Sequence, residues 1–154
     1  MALVHEKLYQ TKDLANIDFG DYVRDLVAGM LGSYGTLAAR VSIHAEAASL
    51  LLDVDRAIPA GLVLNELVSN SFKHGFPNDR SGRIDVRLSG GDGLPIQLSV
   101  QDDGIGWPQG FDPTRSPSLG LKLVHILAKQ LRSSLRFNGE NGLHCTLTFD
   151  TVPC

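Results

Sequence analysis

Residues 62–75, LVLNELVSNSFKHG, restrict the possible folds of this chain more than any other stretch. The spacing predicts a helix over 55–74, with Asp55 as N-cap and Pro59 in the early turns, stopped by Gly75 and Pro77. At helical periodicity Glu66, Asn70 and Lys73 share one side, while Leu64, Leu67, Val68, Ser71 and Phe72 share another. Leu62 and Val63 flank the polar stripe, so the helix is apolar nearly all round and must be covered on most sides. A carboxylate, an amide and an ammonium on such a helix need partners, because an unpaired buried polar group is costly. Either the protein or a bound ligand supplies them. A solvated Glu–Lys face has the same spacing, and what separates the two readings lies downstream.

Around this helix the chain alternates between the two hydrophobic periods. Asp18-Phe19-Gly20-Asp21 opens a helix over 19–31 whose apolar face is Tyr22, Val23, Leu26, Val27 and Met30; residues 32–35 end it. Residues 40–46 alternate as a half-buried strand, and 49–54 read as a short partner for it. Residues 83–89 and 95–101 form an alternating hairpin across Gly90-Gly91-Asp92-Gly93. A helix follows over 118–131 with Leu121, Val124, Leu127, Ala128 and Leu131 on one face, then a strand pair, 134–138 and 144–150, turning at 139–142. At the start, residues 1–10 read as the end of a longer helix, because no capping residue opens them, and 11–16 as a polar connector. Helices and strands in this succession predict an α+β chain with one layer of helices on a sheet.

Charge and composition remove several function classes. With 154 residues there is room for one domain with a sizeable core. The formal net charge is −3 and no basic run follows a nucleic-acid backbone, so nucleic acid is not an expected partner. Apolar runs are too short to span a bilayer, and His5-Glu6-Lys7 interrupts the apolar opening before it can act as a signal peptide. Cys145 and Cys154 have no metal-type spacing and form no disulfide framework, which suits a reducing cytoplasm. His44 reads as a structural residue, since it has no second ligand at a useful offset, and His5 as an ordinary helix residue.

Two glycine segments carry the chemistry. Asp102-Asp103-Gly104-Ile105-Gly106 follows an apolar strand; Asp-Gly alone is an everyday turn, but two closely spaced glycines also let a flat ligand approach the backbone. Ser118-Leu119-Gly120-Leu121-Lys122 places a glycine at a helix N-terminus, which is an ordinary helix start and also a ready anion site. Between them, residues 109–117 form a polar, proline-containing loop. Other nucleotide signatures are absent: there is no G-x-x-x-x-G-K-[ST], and Gly104-Ile105-Gly106 is not completed to G-x-G-x-x-G.

In this order and spacing, the helix and the two glycine segments resemble the N, G1 and G2 boxes of the GHKL ATPase superfamily. Their details are most similar to the ATP-binding catalytic domain of a bacterial sensor histidine kinase with a short lid. The resemblance implies a two-layer α/β sandwich, a mixed and mainly antiparallel sheet with helices on one face (the Bergerat ATP-binding fold). It implies Asp102 as acceptor for the adenine amino group, with Gly104 and Gly106 beside it. It further implies Asn70 as ligand for Mg²⁺, Glu66 and Lys73 as catalytic groups, and Lys73 and His74 near ATP. Ser118, Leu119, Gly120 and Leu121 would face the ATP phosphates, and 109–117 would be the lid. Residues 1–12 would be the remnant of a dimerisation and phosphoacceptor helical hairpin, and 13–154 the ATP-binding domain. Function follows from the same resemblance: transfer of the γ-phosphoryl group from ATP to a histidine on that hairpin, then to a response-regulator receiver domain. The setting would be a cytoplasmic homodimer with no membrane contact from this domain, and this stretch alone would not phosphorylate itself. Alternatives from other classes are a nucleotide-binding interaction module without transfer, and an anti-sigma-type serine kinase. The chain departs from the family's usual pattern at Asp103, where asparagine is usual, and at Gly142-Leu143-His144-Cys145, where a Gly-Thr pair usually opens the last strand.

Overall fold

Alternating apolar residues in the last four long strands all turn to the same side, and this one-sidedness organises the molecule. The structure is a computed structural model; it describes residues 17–33, 37–91, 93–108, 110–115 and 118–150. The expected helix over 1–10, the connector over 11–16 and the hairpin remnant over 1–12 lie outside the described residues. In chain order the elements are β1 (Ile17–Asp18), α1 (Phe19–Ser33), α2 (Leu37–Arg40), β2 (Val41–Ala47), β3 (Leu51–Leu52), α3 (Val54–His74), β4 (Gly82–Gly91) and β5 (Leu94–Asp102). A 3₁₀ turn (Pro113–Arg115), α4 (Leu119–Gln130), β6 (Ser134–Asn138) and β7 (His144–Phe149) complete them.

The main sheet runs β2-β4-β5-β7-β6, with β2 parallel to β4 and every other pair antiparallel. Ile84, Val86 and Leu88 of β4, Ile96, Leu98 and Val100 of β5, and Cys145, Leu147 and Phe149 of β7 are all buried. They meet the apolar faces of α1, α3 and α4 in one core. The alternate residues, among them Arg87, Gln97, Gln101 and His144, are exposed on the far side. A layer of helices on one face of a mixed, mainly antiparallel sheet is the expected fold class. Deep burial pushes the Cys145 thiol up to about 12, so it packs as a small inert hydrophobe. Among the described residues no helix is long and apolar enough to cross a membrane.

Three expectations are corrected. The N-cap of α3 is Asp53, not Asp55, which lies in the first turn. The Asp53 carbonyl accepts the Ala57 amide at 2.9 Å, while its carboxylate takes the Arg56 guanidinium at 2.7 Å instead of capping. The short strand at Leu51–Leu52 does not pair with β2. It pairs antiparallel with β1, through Ile17↔Leu52 and Asp18↔Leu51, in a small separate sheet. Two-residue strands have too little alternation to be read from sequence. Finally, α1 continues through Gly32 to Ser33; its first turn is fixed by the Asp21 amide donating to Asp18 Oδ1 at 3.1 Å.

α1 crosses α3 closely because Gly61 has no side chain: a Cβ there would lie 2.6 Å from the Tyr22 hydroxyl. Tyr22 is buried, its hydroxyl has no hydrogen-bond partner among the described residues, and burial pushes its ionisation far above the ordinary phenol range. An unpaired buried hydroxyl stabilises nothing. Tyr22→Phe is therefore expected to leave the protein equally stable or up to about 1 kcal/mol more stable. Thermal melting checks this; a loss beyond about 1 kcal/mol would mean that the hydroxyl has a partner.

Candidate functional site

Burial of Asp102 at the end of β5 defines the site. A carboxylate only 3% exposed must be paired, and here the protein supplies three donors. Ser71 Oγ donates to Oδ2 at 2.6 Å, and the Gly104 and Leu143 amides each donate to Oδ1 at 3.0 Å. A carboxylate has about four acceptor positions, so one on Oδ2 is left over. Asp102 also lines a cavity of about 400 Å³, a volume suited to a small ligand. The arrangement calls for a neutral or cationic donor group from whatever enters.

The floor of this cavity depends on bare backbone. Gly75 ends α3 with its amide bonded to Ser71 O at 2.9 Å, and its own carbonyl accepts the Ile105 amide at 2.9 Å. A Cβ on Gly104 would collide with that Gly75 carbonyl, so only glycine lets the two segments touch. Gly106 has φ +69° and lies against the Gly139 carbonyl, leaving it doubly restricted to glycine. From there Trp107 and Phe111 close one side, their rings 4.8 Å apart, with Trp107 backed by Phe137 at 5.2 Å. Ile105 and Leu143 add apolar surface. A flat apolar ligand with one polar edge fits such walls.

The cavity has polar lining as well. Asn70 and His74 of α3 and Ser118 and Leu121 at the start of α4 line it. Ser118 caps α4, its Oγ accepting from the Leu121 amide at a long 3.5 Å. Gly120 brings this helix end close to α3: a Cβ there would come within 2.8 Å of Glu66 Oε2 and 3.8 Å of Asn70 Oδ1. The first-turn amides and the positive end of the α4 dipole thus sit beside two side-chain oxygens.

Of the residues named from the sequence, Asn70, His74, Asp102, Gly106, Ser118 and Leu121 line this one cavity. Gly104 is buried beneath it, and Glu66 and Gly120 adjoin it. Lys73 and Leu119 do not line it; Lys73 is exposed, and Leu119 is 82% exposed. Arg115, in the loop over 109–117, is exposed and pairs with Asp112 at 3.7 Å. Sequence reasoning missed Ser71, taken as core, and the aromatic wall of Trp107 and Phe111. A lone hydroxyl on the apolar face of a helix was the available signal for Ser71, since a buried hydroxyl needs a partner. Among the described residues no cluster of three or more His, Cys, Asp and Glu is placed to hold a metal by itself.

Comparison with known proteins agrees with this geometry. Residues 55–154 match the family model described as Histidine kinase-, DNA gyrase B-, and HSP90-like ATPase, and residues 1–34 match one described as Histidine kinase. Sensor histidine kinase PdtaS of Mycobacterium tuberculosis is 33% identical over 129 residues, 82% of this chain and 25% of PdtaS. An anti-sigma F factor of Geobacillus stearothermophilus is 33% identical over 79 residues, 51% of this chain and 53% of that protein. Among solved structures, the histidine kinase domain of the Erythrobacter litoralis EL346 blue-light-activated kinase superposes with a TM-score of 0.85 at 22% identity, covering 97% of this chain and 70% of that one. The chain spans about a quarter of the length of PdtaS.

Proposed function

Because the chain belongs to the family of Histidine kinase-, DNA gyrase B-, and HSP90-like ATPases, we propose that it is the ATP-binding catalytic domain of a sensor histidine kinase. Its task is to hold ATP so that the γ-phosphoryl group passes to a histidine on a helical hairpin, and from there to a response-regulator receiver domain. The working protein is a cytoplasmic homodimer in this reading, with residues 1–12 as part of one helix of the dimerisation and phosphoacceptor hairpin and 13–154 as ATP-binding domain. The single observation that carries the proposal is Asp102: a buried carboxylate with three protein donors and one acceptor position left, in a cavity lined by aromatic and apolar residues and by Ser118 and Leu121 at the start of α4.

Each residue then has a task. Asp102 accepts the exocyclic amino group of adenine, a contact that guanine, with an oxygen at that position, cannot make. Ile105, Trp107, Phe111 and Leu143 bury the base. Gly120 and Leu121 direct amides at the phosphates, helped by the α4 dipole. Glu66 orients the attacking nitrogen and holds its proton as transfer proceeds. Lys73 offsets phosphate charge from the exposed rim, as its flexible stem permits.

Magnesium fits the residues present. Asn70 Oδ1 is a hard oxygen with no hydrogen-bond partner among the described residues, and it adjoins the space that a Cβ on Gly120 would fill. Mg²⁺ keeps several waters and is held largely through substrate phosphates, with few protein oxygens, and Asn70 would supply one of these. When bound, the ion would neutralise charge on the phosphate oxygens. Positioning and charge compensation are what phosphoryl transfer asks of a protein.

A serine hydroxyl as acceptor is the alternative that the anti-sigma F similarity favours. The match of residues 1–34 to a histidine kinase model weighs against it. Titration with ATP and GTP, with and without Mg²⁺, tests the proposal, because Trp107 is the only tryptophan in the sequence and stands in the cavity wall. ATP should shift its emission and GTP at equal concentration should not; a supplied acceptor hairpin should then become labelled on histidine. No response to ATP would end the nucleotide reading, and labelling on serine would transfer the case to the alternative.

A further inference from the structure

We propose that Asp103 is a positioning residue for nucleotide binding: it latches the strand end carrying Asp102 to the start of β4 and touches no ligand itself. The inference deepens the nucleotide reading and rests on it. The paired register of β4 and β5 ends at Ile84↔Asp102. One step further, the Asp103 amide donates to Arg83 O at 3.2 Å, as an antiparallel ladder requires. The return bond is different. The Arg83 amide donates to the Asp103 side chain, at 2.7 Å from Oδ1, in place of a backbone carbonyl.

This substitution frees the Asp103 carbonyl, which accepts Arg80 Nη2 at 3.2 Å. Arg80 O in turn accepts Arg40 Nη1 at 3.3 Å. The segment between α3 and β4 is thereby held from both sides; it turns tightly at Asn78 and Asp79, both with positive φ (57° and 60°), and the Arg80 amide closes the turn onto Pro77 O at 3.1 Å. With its carbonyl released from the ladder, the chain leaves the strand at Gly104 and passes against Gly75. Gly75, Ile105 and Gly106 are cavity wall, whereas Asp103 is exposed and not part of it. Asp103 therefore fixes the two loops that frame Asp102 relative to each other. An asparagine oxygen can accept the same Arg83 bond.

The test measures ATP and adenosine affinity of the full chain and its variants. Asp103→Ala should weaken both ligands by a similar factor, on the order of tenfold, the usual scale for losing one hydrogen bond to a charged group. Asp103→Asn should stay within about threefold of the unaltered protein. Arg56→Ala is the stability control: it breaks the contacts with Asp53 and Asp150 O, outside the cavity lining, and should lower Tm while leaving affinity within about twofold. Amide exchange adds an arm independent of nucleotide, since Gly104 and Leu143, the donors to Asp102, should exchange faster in Asp103→Ala. Undiminished affinity in Asp103→Ala overturns the proposal, as does weakening confined to ATP, or an Asp103→Asn variant as poor as alanine. If the unaltered protein binds neither ligand, the nucleotide reading falls, and the exchange arm alone decides: faster exchange upholds the latch and unchanged exchange refutes it.

Discussion

Phosphoryl transfer to a supplied acceptor hairpin should fall by roughly 10²–10³-fold in Asn70→Ala, the scale seen when one preorganised electrostatic contact to a transition state is removed. The variant loses the side-chain oxygen assigned to Mg²⁺ while keeping everything assigned to the base. ATP binding without Mg²⁺ should therefore stay within about threefold of the unaltered protein, and the gain on adding Mg²⁺ should disappear. Glu66→Ala should be equally poor in transfer but retain the Mg²⁺ dependence of binding, because its task is to orient the nucleophile. Labelling assays and titrations at matched ATP occupancy separate the two. Full Mg-ATP affinity and full rate in Asn70→Ala would refute the metal assignment.

Asp102→Asn should lower ATP affinity by at least about 100-fold while the domain stays folded. Asparagine retains one carbonyl oxygen, which can keep the Gly104 and Leu143 amides that now meet Oδ1 at 3.0 Å. Its nitrogen then takes the position of Oδ2, so the cavity presents a donor where an amino group must dock. Two donors facing each other leave both unpaired in a water-poor space. A nucleotide with a carbonyl oxygen at the same position escapes this clash, so GTP should lose less than ATP or gain. Asp102→Ala is the harsher change, since it leaves Ser71 and two amides without acceptor, at about 1–3 kcal/mol each. Calorimetric titration and thermal melting read both effects; an Asp102→Asn variant that binds ATP normally would show that Asp102 does not recognise the base.

The periodic parts of the fold were legible because long elements repeat their signal. The hairpin of β4 and β5 and the helices α3 and α4 follow from alternation or helical spacing over many residues. β1 and β3 hold two residues each and carry no period, so nothing in their side chains announces that they pair. The parallel pairing of β2 with β4 is likewise a matter of topology and not of pattern. At the site, Asp102, Asn70 and Gly120 were found because three separated segments share one known arrangement. Ser71 was hidden by its neighbours: on a face of Leu64, Leu67, Val68 and Phe72 a serine reads as filler, and its hydrogen bond to Asp102 joins residues 31 apart in the chain. Asp103 stood out in the sequence only as a departure from the family's usual asparagine. Its bond to Arg83 turns it away, which no spacing rule reports.

One consequence follows from the adjacency of Asn70 and Ser71. Neighbours on a helix point about 100° apart, so a single peptide link joins Asn70 in the cavity wall to the Ser71 hydroxyl that holds Asp102. Rolling α3 about its own axis would disturb grip on the phosphates and reading of the base in the same stroke. Tyr22 of α1 packs against that same helix at Gly61, so the α1–α3 contact helps to fix the roll on which both depend.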